Sequence, residues 1–193
     1  MKTFKFILGW LIPIAIAIAL SLVIKTYLFQ LVRVDGLSMY PNLQNNEWVM
    51  LFKQSKIKHD SVIVFDADGV DPSAKKDAKY VKRVIAMPGD TVEYKDNGDL
   101  YINGKFSSQS YISKEQQQKG TLTLELPATS QFTLGSGHKF TVPKDEYLVL
   151  GDNRANSNDS RYYGFVPKKK ILGVVKVFFW NSKRQIINSY DAN

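Results

Sequence analysis

An uncharged apolar segment near the N-terminus is the strongest constraint on this 193-residue chain. No charged residue occurs between Ile7 and Ile24. A helix of this length crosses the hydrocarbon core of a bilayer, which is roughly 30 Å thick. Gly9 and Pro13 lie inside the segment, and such residues are tolerated in membrane helices more readily than in soluble ones. The segment therefore predicts a transmembrane anchor over residues 1–28.

A cleaved secretory signal peptide is the alternative interpretation of the same segment. Lys2 and Lys5 would form its basic start, and the alanines of residues 15–19 resemble a small-x-small cleavage site. Because those alanines lie inside the apolar segment, which continues beyond them, we favour a retained anchor. Lys25 and Arg33 on the far side balance Lys2 and Lys5, so the positive-inside rule leaves the orientation open.

Beyond the anchor, short apolar and β-branched segments predict strands. They are Trp48–Phe52, Ser61–Phe65, Tyr80–Met87, Glu146–Leu150 and Ile171–Trp180. The chain has no internal repeat, no heptad pattern and no alternation of strands with helices. These features favour an antiparallel, mostly-β domain over a parallel α/β fold.

Two Asn-Gly pairs, at residues 97–98 and 103–104, separate further strand-like segments. This dipeptide favours the type I′ turns that join antiparallel strands, so we expect a β-meander here. Residues 107–139 are polar and rich in Gln and Gly, with Thr121–Leu126 as their one good strand candidate. The predicted fold class is thus mostly β, with one N-terminal transmembrane helix, an antiparallel β domain and a small β-rich cap insertion.

Four units make up the predicted domain organisation. A main β domain is built from two stretches of chain, with the cap inserted between them, and a short tail follows. The boundaries are 1–28 for the anchor, 29–94 and 141–182 for the main domain, 95–140 for the cap and 183–193 for the tail.

The cysteine and histidine counts exclude several kinds of site. The chain has no cysteine, which excludes disulfides, thiolate zinc sites, iron–sulfur clusters and a thiol nucleophile. Its two histidines, His59 and His138, leave little room for a His-rich metal centre and give poor support to a Ser-His-Asp triad. We therefore predict no metal site and no cofactor. The net charge of +8 fits nucleic acid or an anionic membrane surface, and the anchor favours the membrane.

A turn around Ser38 is the first of three segments that could carry chemistry. Gly36 allows a close backbone approach or a positive φ, and Pro41 stiffens the exit from the turn. The segment is not the G-x-S-x-G elbow of α/β-hydrolases, because Tyr40 occupies the second glycine position. Most serine hydroxyls are solvated and take no part in catalysis. The turn alone does not exclude this alternative for Ser38.

Lys82 belongs to the second segment, the predicted strand Tyr80–Met87. Alternation places Tyr80, Val84 and Ala86 on the same face as Lys82 and places Arg83 on the opposite face. An apolar setting lowers the pKa of a lysine, as a general base near neutral pH requires. The alternative is a strand lysine whose stem is buried and whose amine reaches water, and this segment alone favours it.

The third segment is the polar loop of residues 151–161 between two predicted strands. A loop almost without apolar side chains must hydrogen-bond to itself or to water, and its Asp and Arg residues could hold it by charge-assisted bonds. A solvated turn is the alternative. The glycosylation-like triplet Asn158-Asp159-Ser160 is too short a signal to carry weight.

Together these segments resemble the type I signal peptidases, which are membrane-bound Ser-Lys endopeptidases that remove signal peptides from exported proteins. The resemblance covers nearly the whole chain, and it is strongest to the short, single-anchor form typical of Gram-positive bacteria. It rests on an N-terminal anchor followed in order by SMYP, YVKRVIAMPGD and GDNRANSNDSRYYGFVP.

The resemblance implies a mechanism. Ser38 would be the nucleophile and neutral Lys82 the general base, acting through an acyl-enzyme without any histidine. The backbone N–H of Ser38 would donate to the oxyanion. Some family members add a serine hydroxyl two residues before the nucleophile, but Gly36 stands there in this chain. Met39 would line the site beside the nucleophile.

The resemblance also gives supporting roles to the third segment. Ser157 would bond the lysine amine and orient it. Four charged residues would brace the loop, as the pairs Asp152 with Arg83 and Asp159 with Arg161. Ala155 replaces an acidic residue of the family, which removes one brace and no catalytic group.

Substrates, partners and location follow from the resemblance as well. The family cleaves secretory preproteins after small-x-small sites such as Ala-x-Ala, bound as an extended strand. The implied partners are these preproteins, the lipid bilayer and the export translocon, with no nucleic acid, for a monomeric enzyme. The implied location is the cell membrane, with a cytoplasmic N-terminus and an extracytoplasmic catalytic β domain.

Three other classes of protein share some of these features. A self-cleaving Ser-Lys repressor would carry a DNA-binding helix-turn-helix where this chain has its anchor. A membrane-tethered binding homologue would be expected to have lost Ser38 or Lys82, and both are present. An anchored binder of nucleic acid or anionic lipid is suggested by the net charge and by Lys168–Lys170, which we interpret as a solvated strand edge.

Overall fold

The N-terminal segment is a long helix in the computed structural model, which describes residues 2–119 and 134–188. Helix α1 spans Lys2–Val23, and a π-helical turn, Ile24–Leu28, continues it. Residues Gly9–Leu28 form the one helix among the described residues that is long and apolar enough to cross a membrane, with a mean hydropathy of 2.2. This segment is not buried inside the rest of the protein, and its C-terminal turn is hydrogen-bonded by Lys53. Its length and composition agree with the predicted anchor.

The main sheet has seven strands in the order β1-β2-β11-β3-β4-β9-β10. All six neighbouring pairs are antiparallel. The strands are β1 (Phe29–Arg33), β2 (Trp48–Phe52), β3 (Val62–Asp66), β4 (Lys79–Ala86), β9 (Glu146–Leu150), β10 (Val166–Pro167) and β11 (Ile171–Lys176). Strand β2 alternates as expected for a sheet with one covered face, since Val49 and Leu51 are buried in the core while Trp48 is exposed.

A second antiparallel sheet has four strands in the order β7-β6-β5-β8. They are β5 (Thr91–Tyr94), β6 (Leu100–Ile102), β7 (Lys105–Ser107) and β8 (Lys139–Thr141). Together the two sheets confirm the predicted fold class: mostly β and antiparallel, with a smaller β-rich part. The domain boundaries stay a prediction. Strands β5 and β8 of the second sheet reach to Thr91 and Thr141, which were assigned to the main domain.

The two Asn-Gly pairs join β5 to β6 and β6 to β7, as predicted, but their turns differ. Asn103 and Gly104 both have positive φ, as a type I′ turn requires. In the first turn, of the two residues Asn97 and Gly98, Gly98 alone has positive φ. The Asn97 side chain there accepts a hydrogen bond from the Asp99 N–H at 3.0 Å, which closes a local turn.

Strand β11 is shorter than predicted, since it ends at Lys176 rather than at Trp180. Asn188 bonds both the N–H and the carbonyl of Val177 at 2.9 Å, in place of a neighbouring strand. Residues 178–181 then turn, with the Asn181 N–H donating to the Phe178 carbonyl. The rings of Phe178 and Trp180 stack at 4.6 Å. The strand predicted over Thr121–Leu126 lies outside the described residues.

Three short α-helices and two 3₁₀ turns, Arg154–Asn156 and Lys168–Lys170, complete the described part of the chain. The α-helices are α2 (Lys114–Lys119), α3 (Ser160–Tyr163) and α4 (Arg184–Asn188). Helix α2 lies in the polar segment that we predicted to be a cap. Its six residues include Glu115 bonded to Lys119 one turn later, a pair that supports an isolated turn of helix.

The register between β4 and β9 brings distant parts of the sequence together. Arg83 of β4 lies opposite Leu150, the last residue of β9. The polar loop that begins at Gly151 therefore starts beside Lys82, which precedes Arg83 on β4.

Candidate active site

Ser38 lies half-buried in a turn between β1 and β2, facing strand β4. The Lys82 amine donates a hydrogen bond to Ser38 Oγ over 2.9 Å. The two residues are far apart in the sequence, and the fold brings the Ser38 turn against β4, the fifth of the seven strands in the main sheet. The hydroxyl and the amine are thus placed for direct proton transfer.

The Lys82 side chain is buried, with 4% of its surface exposed. Its amine also donates to the Val81 carbonyl at 3.2 Å and lies 5.3 Å from the centre of the Tyr80 ring. Burial lowers the pKa of Lys82 from 10.5 to about 8, although the nearby Asp159 carboxylate acts in the opposite direction. This burial differs from the water-exposed amine that the strand segment alone favoured.

The polar loop holds the Ser38 turn in addition to the bonds within the turn itself, such as the one that the Tyr40 N–H donates to the Leu37 carbonyl at 3.1 Å. The Asn153 N–H donates to the Ser38 carbonyl at 3.0 Å, and the Asn153 side chain donates to the Leu37 carbonyl at 3.1 Å. On the other side, the Gly36 N–H donates to the Asn45 side chain at 2.9 Å. Gly36 has a φ of 92°, a conformation that favours glycine.

Met39 anchors the same turn in the core. Its side chain is almost completely buried and packs in a cluster that includes Leu43, Val49 and Leu51. The turn is therefore fixed from below by Met39 and from the side by Asn153. Met39 supports Ser38 in this way, and its predicted place beside the substrate stays a prediction.

Arg83 and Asp152 form a buried, bidentate ion pair behind Lys82. Arg83 donates to the two carboxylate oxygens of Asp152 at 2.8 and 2.7 Å. Asn42, just after the Ser38 turn, also donates to Asp152 at 2.9 Å. The carboxylate therefore connects β4, the polar loop and the Ser38 turn at one point.

Asp159 and Arg161 form a second buried pair inside the loop. Arg161 donates to both oxygens of Asp159 at 2.7 and 2.8 Å, and it also reaches the Arg154 carbonyl at 3.0 Å. The Gly151 N–H donates to Asp159 at 2.9 Å. Burial alone would raise the pKa of Asp159, but the adjacent guanidinium outweighs it and holds this pKa below its usual value. The loop is thus closed on itself by charge-assisted bonds.

Ser157 is buried beside the turn, but its predicted bond to the lysine is not formed. Its hydroxyl has no hydrogen-bond partner among the described residues. It lies against Gly151, where a Cβ atom would come within 2.6 Å of Ser157 Cβ and 2.5 Å of the Ser38 carbonyl oxygen. The hydroxyl is therefore held close to Ser38, and its role in orienting Lys82 stays a prediction.

Four residues of this region were missed from the sequence: Asn42, Gly151, Asn153 and Arg154. Three of them stand in the GDNR segment, which was noted for its resemblance but not resolved into separate contacts. Buried Arg154 donates to the Gly151 carbonyl at 2.9 Å and to the Tyr94 hydroxyl at 2.6 Å, which links the loop to the second sheet. No pattern in the sequence marks Asn42.

A metal centre is not formed by the residues that the structure describes. Within the ranges 2–119 and 134–188, no group of three His, Cys, Asp or Glu side chains is placed to hold an ion.

A serine hydroxyl bonded to a buried lysine amine, on an antiparallel β domain behind an apolar helix, defines a serine-type hydrolase. A family model described as "Signal peptidase, peptidase S26" matches residues 7–180. The chain therefore belongs to this family of serine-type endopeptidases, and its function is that of a type I signal peptidase.

Individual relatives agree with this assignment. Signal peptidase I of Bacillus licheniformis is 35% identical over 176 residues, covering 89% of this chain and 87% of the relative. Signal peptidase IB of Staphylococcus aureus (strain COL) is 35% identical over 181 residues and 91% of each chain. A crystal structure of a signal peptidase I from Enterococcus faecalis V583 is 32% identical, covers 62% of this chain and 97% of that one, and has a TM-score of 0.43.

Proposed function

We propose that this chain cleaves signal peptides with Ser38 as the nucleophile and neutral Lys82 as the general base. The observation that carries the proposal is the 2.9 Å bond between the Lys82 amine and Ser38 Oγ, made by a lysine residue that is 4% exposed. A lysine with a pKa of about 8 is partly neutral near physiological pH and can accept a proton.

The reaction runs in two halves. Lys82 takes the Ser38 proton as Oγ attacks the scissile carbonyl, and the lysine then gives this proton to the departing amine. The peptide bond breaks and an ester to Ser38 remains. Lys82 next takes a proton from a water molecule, which attacks the ester. The bond to Ser38 Oγ breaks, Lys82 returns the proton to that oxygen, and the signal peptide leaves with its new carboxyl group. A positioned general base of this kind contributes roughly 10²- to 10⁴-fold in rate.

The Ser38 N–H is the group we assign to the oxyanion. It makes no hydrogen bond to another residue of the described part of the chain, so it is free to donate. Gly36, two residues earlier, has no side chain to add a second donor. One preorganised donor contributes about 3 kcal/mol to stabilising the transition state.

We assign the surrounding charged residues to positioning. The Arg83–Asp152 pair fixes the back of strand β4 and, through Asn42, the Ser38 turn. The Asp159–Arg161 pair closes the loop that carries Ser157. Ser157 is buried beside Ser38 with an unpaired hydroxyl, and we propose that it orients the Lys82 amine during the reaction.

We further propose that the substrate is a secretory preprotein cut after a small-x-small site. Exposed apolar residues surround the Ser38 turn and the nearby C-terminal turn. They include Leu37 and Tyr40, together with Phe179 and Trp180, which are 80% and 67% exposed. Such side chains favour a site close to the bilayer surface, where the hydrophobic part of a signal peptide would deliver its cleavage site.

The location we propose is the cell membrane, with residues 1–28 as a retained anchor. The N-terminus would be cytoplasmic and the catalytic domain, residues 29–94 and 141–182, extracytoplasmic. We propose that the enzyme acts as a monomer on preproteins emerging from the export translocon.

Processing of a preprotein with an Ala-x-Ala site tests the mechanism. The full chain in detergent should cleave at that site, whereas Ser38→Ala and Lys82→Ala should each lose roughly a thousandfold in rate while remaining folded. Replacing the alanine before the cut with phenylalanine should also block cleavage. Full activity of a folded Lys82→Ala would remove Lys82 from the mechanism. A folded wild-type chain that never cleaves would favour a membrane-tethered binding protein.

A further inference from the structure

A buried carboxylate outside the Ser38–Lys82 pair lies beside the general base. Asp71 belongs to the loop between β3 and β4 and is 5% exposed. Three other acidic residues lie in this loop or at its edge: Asp66, Asp68 and Asp77. Asp66 and Asp68 are partly buried, and Asp77 is exposed. Asp71 is thus the one acid that this loop turns inward.

Asp71 accepts four hydrogen bonds. Two come from Ser73, at 2.8 Å from its N–H and 2.7 Å from its hydroxyl, and they close a turn within the loop. The other two come from outside the loop. The Tyr80 hydroxyl donates at 2.9 Å and the Asn158 side chain donates at 2.6 Å, both to the same oxygen of the carboxylate.

The two outside donors flank Lys82 from different elements. Tyr80 precedes Lys82 by two positions on β4, and its ring centre lies 5.3 Å from the Lys82 amine. Asn158 follows Ser157 in the polar loop and precedes Asp159, the carboxylate that most favours the charged form of Lys82. One carboxylate therefore connects the strand that carries the base to the loop that closes over it.

The Tyr80 ring packs against other aromatic rings, and its hydroxyl makes the hydrogen bond to Asp71. The Tyr80 ring lies 5.9 Å from Phe65 and 6.3 Å from Tyr163. These rings hold its apolar edge, and Asp71 holds its hydroxyl. Loss of the carboxylate would free the hydroxyl end while the ring stayed packed.

We propose that Asp71 is a positioning residue for the general base, which it holds in place through Tyr80 and Asn158. The proposal deepens the Ser38–Lys82 mechanism and rests on it. Asp71 does not touch Ser38 or the expected position of the substrate. It fixes the ring under the Lys82 amine and the backbone next to Ser157, so that the amine stays directed at Ser38 Oγ.

Asp71 also contributes charge. The charged groups that act on Lys82 are Asp159, Asp152 and Asp71, which raise its pKa, and Arg161, which lowers it. Removing the Asp71 charge therefore lowers the pKa of Lys82. If Lys82 is the base, the acid limb of the rate profile moves to lower pH in Asp71→Asn, while the plateau falls because the base is less well directed.

The test compares Asp71→Asn, Tyr80→Phe and Asn158→Ala with wild type, as full chains in detergent cleaving an Ala-x-Ala preprotein. In Asp71→Asn an NH₂ group replaces one carboxylate oxygen, and each of these oxygens accepts two hydrogen bonds, so the NH₂ group faces two donors in either orientation. We expect kcat to fall roughly tenfold in Asp71→Asn and less in the other two, with KM unchanged. The acid limb should shift in Asp71→Asn and not in Tyr80→Phe.

Ser73→Ala is the matched control, because it removes a bond to the same carboxylate that stays within the loop. It should lower the melting temperature slightly and leave kcat and the acid limb unchanged. If Asp71→Asn behaves like Ser73→Ala, Asp71 has only a structural role and the proposal is overturned. If Asp71→Asn does not fold, the other two variants decide. A wild-type kcat in both Tyr80→Phe and Asn158→Ala then overturns the proposal.

Lys82→Ala in the same assay separates the two levels of inference. An inactive Lys82→Ala with wild-type kcat and acid limb in Asp71→Asn rejects the positioning role alone. An active Lys82→Ala rejects the mechanism and with it the role of Asp71.

Discussion

Lys82 shows how much of the site depends on one residue being buried. The base that we propose must have an amine removed from water, and Tyr80, Val81 and the polar loop surround the amine of Lys82. Because burial lowers the pKa of Lys82 from 10.5 to about 8, the unfolded chain binds more protons than the folded chain between these two pH values. The free energy of unfolding therefore rises with pH across this window.

Lys82→Met should stabilise the protein near neutral pH while abolishing cleavage. Below about pH 8 the wild-type amine is charged in both states, and its burial costs up to about 3 kcal/mol. Methionine has a similar volume and no charge. Denaturant unfolding of the full chain in detergent should give the variant a larger free energy of unfolding than wild type at about pH 7. This difference in free energy should shrink towards about pH 10. Exposed Lys79→Met should show no such trend, and a pH-independent difference for Lys82→Met would contradict the lowered pKa.

The sequence could predict the setting of Lys82 but not its contacts. Strand alternation placed Lys82 and Arg83 on opposite faces, which the structure shows, and the ordered motifs pointed to Ser38. Asp71 was not identified from the sequence, because its bonds to Tyr80 and Asn158 depend on the pairing of β3 with β4 and of β4 with β9. Such non-local contacts have no signature within a short segment of sequence.

At the scale of elements, the polar loop after β9 determines the geometry of the site. It bonds the Ser38 turn through Asn153, the back of β4 through Asp152 and the second sheet through Arg154. Gly151 is the point where the loop and the Ser38 turn approach most closely. No side chain fits there, since a Cβ would lie 2.5 Å from the Ser38 carbonyl oxygen.

Gly151→Ala should therefore reduce cleavage by forcing the two segments apart. The added methyl group must displace Ser157 or the Ser38 backbone, at a cost of about 1–3 kcal/mol. We expect kcat to fall roughly tenfold or more, as the nucleophile moves away from Lys82. Gly104→Ala is the control, because its Cβ would meet nothing within 4 Å although its φ of 78° is strained. It should lower stability without changing kcat, and an equally active Gly151→Ala would contradict the tight approach.

At the scale of the whole molecule, the apolar helix and the catalytic sheet are joined without a linker. Strand β1 begins at Phe29, directly after the π-helical turn. The Lys53 amine at the end of β2 donates to the carbonyls of Lys25 and Thr26 at 3.1 and 2.9 Å, where a cation complements the helix C-terminus. The Ser38 turn follows β1 after a few residues, so its position relative to the helix is closely constrained.

The overall architecture was more predictable than the ends of its strands and its short helices. Apolar alternation and the Asn-Gly pairs were sufficient for the antiparallel strands, and the uncharged segment for the helix. The end of β11 was not predictable, because Phe178, Phe179 and Trp180 have strand propensity but form an exposed aromatic turn. Helix α2 was missed as well, since its Lys- and Gln-rich sequence has no apolar periodicity.

The pH dependence of kcat/KM for the full chain, acting on an Ala-x-Ala preprotein, tests the neutral lysine base most directly. Measured from about pH 5 to about pH 10, the rate should rise with pH as a single ionisation with a midpoint at the pKa of Lys82, about 8. A rate that is independent of pH over this range, or a limb that persists unchanged in a folded and active Lys82→Ala, would contradict Lys82 as the base.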